Sequence, residues 1–211
     1  MALRKHPIHD YRSMYGLTAF IETGTCFGAS VLKAMAAGYA EAFSCEISPE
    51  LVAQFAASPQ ITPYVDKVRL YTGSSALLLP RMLQDAAAHP RALIYLDAHS
   101  DPSLFRANIV STANDVPSLM PLMPELAALK EHRDIRRDVI VIDDLHLICP
   151  PYWTGPDRPE LPPMALPRQP LFASAADLAA EFPDHTWKVV NAEDWTLLLT
   201  PKLAPDVEVA P

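Results

Sequence analysis

The sequence predicts an α/β domain built on a doubly wound, mostly parallel seven-stranded sheet that closes with an antiparallel C-terminal hairpin. Three observations carry this expectation. From about residue 17 to residue 144, short apolar runs of β type alternate with longer stretches of helical period, the pattern of parallel strands joined by crossover helices. The run Val139-Ile-Val-Ile142 is apolar at every position, as suits a strand buried on both faces at the centre of a sheet. Near the C-terminus, Thr186–Val190 and Thr196–Thr200 are joined by only Asn191-Ala-Glu-Asp194, a connection short enough for a hairpin.

The first strand is expected over Thr18–Glu22, followed by a turn from Thr23 to Gly28 and a helix from about Ser30 to Gly38, where glycine suits the C-terminal stop. Glu41–Ile47 reads as the second strand. Ser48-Pro49-Glu50 then supplies an N-cap, a proline for the first helical position and an acid facing the helix dipole, opening a helix to about Ala57. Val68–Tyr71 is the third strand, Gly73-Ser74-Ser75 the turn after it, and Ala76 to about Ala88 the next helix. Arg91–Leu96 is the fourth strand and Asp97–Val116 a polar, irregular stretch. A helix over Leu119–His132 and the fifth strand, Asp138–Ile142, follow. Eight prolines between 150 and 170 exclude regular helix or interior strand, because proline lacks the backbone donor. Residues 145–172 are therefore expected to form a lid or wall, before a last helix over Ser174–Phe182 and the closing hairpin.

With 211 residues, 50% hydrophobic and 20% charged, the chain is expected to fold as a single domain over 1–211, large enough to bury a core without disulfide or structural metal. A net charge of −8 argues against nucleic acid or an anionic membrane as partner, since either calls for a basic surface. A small-molecule substrate fits better, and a homodimer stays open. Cys26, Cys45 and Cys149 are widely spaced and odd in number, which points to a reducing compartment. The first ten residues lack the apolar stretch of a signal peptide. A cytoplasmic location is expected.

The segment Phe20-Ile-Glu22-Thr-Gly24-Thr-Cys-Phe-Gly28-Ala-Ser30 sets two glycines around a strand-to-helix turn, where backbone can approach a ligand that a side chain would obstruct. Glu46 ends the second strand, eighteen positions past Gly28, where an acid in such folds faces the hydroxyls of a ribose. A purely structural turn and a solvated carboxylate are the plainer readings of these features. Cys26 stands where a dinucleotide-binding turn has its middle glycine. The spacing E-x-G-x-x-x-G resembles motif I of the class I S-adenosylmethionine-dependent methyltransferases, over roughly residues 17–200. The resemblance implies S-adenosylmethionine as cofactor, with Glu22, Gly24, Thr25, Gly28 and Ser30 at its methionine end and Glu46 at its ribose. Ser74 and Ser75 fall on the adenine side, and Ser74 replaces the family's frequent Asp.

The fourth strand ends in Asp97-Ala-His99-Ser-Asp101 and the fifth in Asp143-Asp144-Leu-His146. Neighbouring central strands deliver such ends to one crevice, and carboxylates brought that close repel unless they share a cation. An all-oxygen set suits Mg²⁺, Mn²⁺ or Ca²⁺, whereas the alternative is a helix cap at Asp144 and a turn at Asp97. The pattern is similar to the metal-dependent O-methyltransferases of the catechol and macrocin types. By that resemblance Asp97, Asp143 and Asp144 hold a divalent cation, Asp97 also lies beside the cofactor, and His99 or Asp97 takes the proton of an acceptor hydroxyl. His99 reads equally as a loop residue bonded to a carbonyl, and His146 as a second candidate base or a polar residue of the wall. Tyr152 and Trp153 either stack on the acceptor or anchor the wall.

Residues 97–101 also resemble the D-A-H-x-D metal motif of the ureohydrolases, although the other segments of that family are absent. A nucleoside-binding protein without catalysis is the third reading.

Overall fold

The computed structural model describes residues 2–98, 120–152, 169–190 and 195–202. His99, Asp101, Trp153, most of the expected wall and the hairpin connection 191–194 lie outside the described residues. Seven strands form one sheet: β1 (Ala19–Thr23), β2 (Glu41–Glu46), β3 (Val68–Thr72), β4 (Ala92–Leu96), β5 (Val139–Ile142), β6 (His185–Val190) and β7 (Thr196–Pro201). Their order is β3-β2-β1-β4-β5-β7-β6. The first five strands run parallel, while β7 is antiparallel to both β5 and β6. Each expected strand is present within two residues of its expected bounds, because apolar runs bounded by turn residues are a local signal.

Among the described residues, six α-helices cover the faces of this sheet: α1 (Ile8–Tyr15), α2 (Ala29–Ala36), α3 (Pro49–Ala56), α4 (Ser75–Asp85), α5 (Leu122–His132) and α6 (Ala175–Ala180). At α3 the expected cap forms, the Ser48 hydroxyl accepting a hydrogen bond from the Leu51 N–H at 3.3 Å. Helix α4 stops at Asp85, three residues short of the expected end. Helix α1 has no counterpart in the sequence reading, although Pro7 before it and the left-handed Gly16 after it are ordinary helix punctuation.

The core has two parts, one on each face. One joins Phe20, Tyr39, Tyr95, Val141 and Leu198 to residues of α1, α2 and α3, while the other joins Ile21, Phe43, Ile94, Ile140 and Leu199 to α4, α5 and α6. The N-terminal segment belongs to the first part. Leu3 is fully buried, the Lys33 ammonium donates to the carbonyls of Leu3 and His6 at 2.7 and 2.8 Å, and the His6 Nε2 lies 2.9 Å from the Thr196 hydroxyl.

The start of the expected wall is buried. Leu145, Ile148 and Cys149 are fully buried in the second part of the core, so the segment expected as a wall from residue 145 begins as core. Leu145 lies three residues past the end of β5, and its N–H donates to the Trp195 carbonyl at 2.9 Å. This ties the chain back to the start of β7 before the prolines are reached.

Candidate functional site

Because β1 to β5 are parallel, the turns that follow them emerge at one edge of the sheet. The strand order reverses between β1 and β4, and at such a switch point the connections diverge and leave a crevice. The turn after β1 is held by the Gly24 and Thr25 N–H groups, which donate to the Cys45 carbonyl at 2.9 and 3.0 Å. Gly24, Cys26 and Gly28 all have positive φ, of 88°, 48° and 74°. Cys26 thus takes a left-handed conformation at the position where a glycine was looked for.

The two glycines also allow close packing within the chain. A Cβ on Gly24 would lie 2.3 Å from the Asp97 carbonyl oxygen, and one on Gly28 would lie 2.2 Å from the Phe55 ring. The space they leave is filled by the chain itself. Gly24 lets the β1 turn press against the end of β4, and Gly28 lets α3 pack its aromatic ring against the start of α2.

Glu22 is fully buried beneath this turn. Its carboxyl group accepts hydrogen bonds from the Ser30 and Ser44 hydroxyls, and Thr25 Oγ1 lies 2.6 Å from Ser44 Oγ. Ser44 was missed by sequence reasoning, yet it is the register partner of Glu22 on β2, and a lone serine within an apolar strand was the available signal. Burial pushes the Glu22 carboxyl up to about 8, against the lowering effect of its two hydroxyl donors. Glu22, Thr25 and Ser30 are therefore brought together as a buried brace under the 24–28 turn, and none of them is exposed.

A pH dependence follows. An acid whose folded pKa lies above its unfolded value of 4.5 favours folding while protonated, and that contribution is lost as pH rises from 4.5 through about 8. In urea denaturation, wild type should lose stability relative to Glu22→Gln across this window, by about 1 kcal/mol per pH unit. Parallel pH profiles for the two proteins would show that Glu22 is ionised in the fold.

Glu46 lies at the end of β2, as expected, and is nearly buried. Its carboxylate accepts from the Cys26 N–H at 2.8 Å and the Ser48 N–H at 3.0 Å, so it links the first turn to the start of α3. Each oxygen keeps a further lone pair for a hydroxyl. After β3, the neighbour of β2, Ser74 caps α4 without a side-chain bond, and the buried Ser75 hydroxyl meets no partner among the described residues.

At the ends of β4 and β5 the expected carboxylates do assemble. The Asp97 N–H donates to the Thr23 carbonyl at 3.1 Å, and the Asp143 N–H donates to the Leu96 carbonyl at 3.0 Å. Burial and the nearby Asp143 and Asp144 raise the Asp97 carboxyl well above the usual range, opposed by a hydrogen bond with Tyr95. The Tyr95 hydroxyl donates to Asp143 Oδ2, and the Asp144 N–H donates to Asp143 Oδ1 at 2.8 Å. Asp144 has a left-handed φ of 55°, and its carboxylate lies 3.7 Å from His146 Nδ1. Among the described residues, no three His, Cys, Asp or Glu side chains converge to hold a metal ion. Tyr152 packs on Trp195 with ring centroids 4.8 Å apart, and both rings lean on the core, the anchoring role of the two weighed for Tyr152. Trp195, like Tyr95, is a residue the sequence reading missed.

No protein-family model matches the chain, and no curated protein matches it. Solved structures do share its fold. A methyltransferase of Podospora anserina with S-adenosylhomocysteine bound is 14% identical, with 93% of this chain and 76% of that chain covered at a TM-score of 0.55. A Staphylococcus aureus protein assigned to the caffeoyl-CoA O-methyltransferases is 11% identical, with 92% and 80% covered at a TM-score of 0.56. The O-methyltransferase TomG of Streptomyces achromogenes, which acts in tomaymycin synthesis and was solved with S-adenosylmethionine, is 14% identical, with 92% and 78% covered at a TM-score of 0.52.

Proposed function

On the class I methyltransferase fold that this chain shares, we propose an enzyme that transfers the methyl group of S-adenosylmethionine to a hydroxyl of a small molecule. One observation carries the reading: the 24–28 turn, Glu46 and Ser75 stand at the same sheet edge as the carboxylates at the ends of β4 and β5. The 24–28 turn receives the methionine end over the Glu22 brace, Glu46 accepts from the ribose hydroxyls, and the Ser75 hydroxyl, without a partner among the described residues, lies on the adenine side. In the transfer the acceptor oxygen attacks the methyl carbon, the carbon–sulfur bond breaks, and the sulfonium becomes the thioether of S-adenosylhomocysteine. The acceptor proton passes to a base at the β4 end, either Asp97 or His99. The raised Asp97 carboxyl suits a group that must hold a proton during turnover.

A divalent cation is a second reading, favoured by the crowding of Asp143 and Asp144 around Asp97. Among the described residues, no three His, Cys, Asp or Glu side chains converge to hold one in the arrangement observed. The ureohydrolase and non-catalytic readings gain no support from the fold. No helix among the described residues is long and apolar enough to cross a membrane.

Calorimetry with S-adenosylhomocysteine, with and without EDTA, tests cofactor and cation together. Glu46→Ala should weaken binding by about 1–3 kcal/mol, the range for losing a hydrogen bond from a charged group. Binding of NAD with no response to S-adenosylhomocysteine would overturn the reading. Transfer of labelled methyl to a panel of catechol, phenol and sugar hydroxyls identifies the acceptor class.

A further inference from the structure

The sheet register places a tyrosine directly beneath the two carboxylates. Tyr95 pairs with Val141 across β4 and β5, and Leu96 pairs with Ile142. Side chains of a strand alternate between faces, so Tyr95 shares its face with Asp97, and Val141 shares its face with Asp143. Tyr95 is fully buried among Phe20, Val141 and Leu198, in the part of the core under α1 to α3. From there its hydroxyl reaches the carboxyl edge. It donates to Asp143 Oδ2 and is also hydrogen-bonded to Asp97.

We propose that Tyr95 is a positioning residue of this edge, whose hydroxyl sets the direction in which the Asp97 and Asp143 carboxylates face the acceptor. The inference rests on methyl transfer at this edge. Asp143 is held at both oxygens: the Asp144 N–H fixes one from the turn, and the Tyr95 hydroxyl fixes the other from the core. A carboxylate held by a single donor swings about its χ angles, whereas two opposed donors leave one orientation. The lower donor sits on a rigid strand, so it transmits the register of the sheet to the groups that meet the acceptor. A tyrosine that only filled the core would do so equally well as phenylalanine.

Tyr95→Phe removes one oxygen and keeps the ring in its apolar setting. With the fold intact, S-adenosylhomocysteine affinity should stay within about threefold of wild type, because the 24–28 turn and Glu46 are untouched. Crystal structures of both proteins with S-adenosylhomocysteine should show the Asp143 carboxylate turned to a new rotamer in the variant. With the hydroxyl acceptor from the labelled-methyl panel, kcat should fall at least tenfold with KM little changed. Unmoved carboxylates, or an unchanged kcat, would overturn the positioning role. If neither protein binds S-adenosylhomocysteine, the methyltransferase reading falls, while crystals of the two proteins alone still decide what Tyr95 does. Should Tyr95→Phe not fold, proton NMR of the wild type decides: a sheltered Tyr95 hydroxyl resonance must be present and must vanish in Asp143→Ala. A wild-type spectrum without it would overturn the proposal.

Discussion

Asp97→Asn is expected to lower methyl transfer by roughly 10² to 10⁴, the range for a lost general base, with little change in S-adenosylhomocysteine binding. The residue stands at the end of β4, its N–H tied to Thr23 on β1, and its carboxyl group faces Asp143 and Asp144. Asparagine keeps the size of the side chain and its hydrogen-bonding capacity while removing the group that accepts a proton. Single-turnover transfer from labelled S-adenosylmethionine measures the chemical step separately from product release. His99→Ala, measured in parallel, distinguishes the two candidate bases: the one whose loss produces the slow step is the base, and full rate in both variants would place the base elsewhere. If EDTA abolishes transfer in wild type, the Asp97 effect is that of a lost cation ligand, and metal affinity should fall with it.

Gly24→Ala should be the most damaging single methyl group added to the protein. Its φ of 88° is one that L side chains rarely adopt, and the new Cβ would lie 2.3 Å from the Asp97 carbonyl oxygen. Backbone strain and overpacking each cost about 1–3 kcal/mol, so a loss of about 2–6 kcal/mol is expected. For a domain of this size that corresponds to a fall in Tm of roughly 4–24 °C. Gly38 is the control. It has nearly the same φ, 86°, but the nearest atom to its added Cβ is at 3.5 Å, on the Arg12 guanidinium. Gly38→Ala thus bears the strain without the collision. Relief of the collision at Gly24 requires β1 and β4 to separate at the switch point, so cofactor binding should be lost as well. Equal destabilisation by the two substitutions would show that backbone conformation alone matters at Gly24.

What the sequence by itself determined is local in origin. The seven strands were legible because an apolar run bounded by turn residues has few alternatives, and the Ser48-Pro49-Glu50 start of α3 because caps act within one turn. The positions of Glu46, Asp97 and Asp143 were legible for a related reason: they follow directly on those strands, and parallel strands bring their ends to one edge. Only the tertiary structure decided what these residues touch. Ser44 braces Glu22 because β2 pairs with β1 in that register, and the Tyr95 hydroxyl meets Asp143 because β4 pairs with β5 in that register. Neither pairing is written within the strand concerned. The use of the two glycines was decided in the same way, by Asp97 and Phe55, residues 73 and 27 positions away in the chain. Local propensity depends on neighbours within a few residues, whereas the partner of a buried polar group or a missing Cβ depends on which distant segments the packing brings within 4 Å.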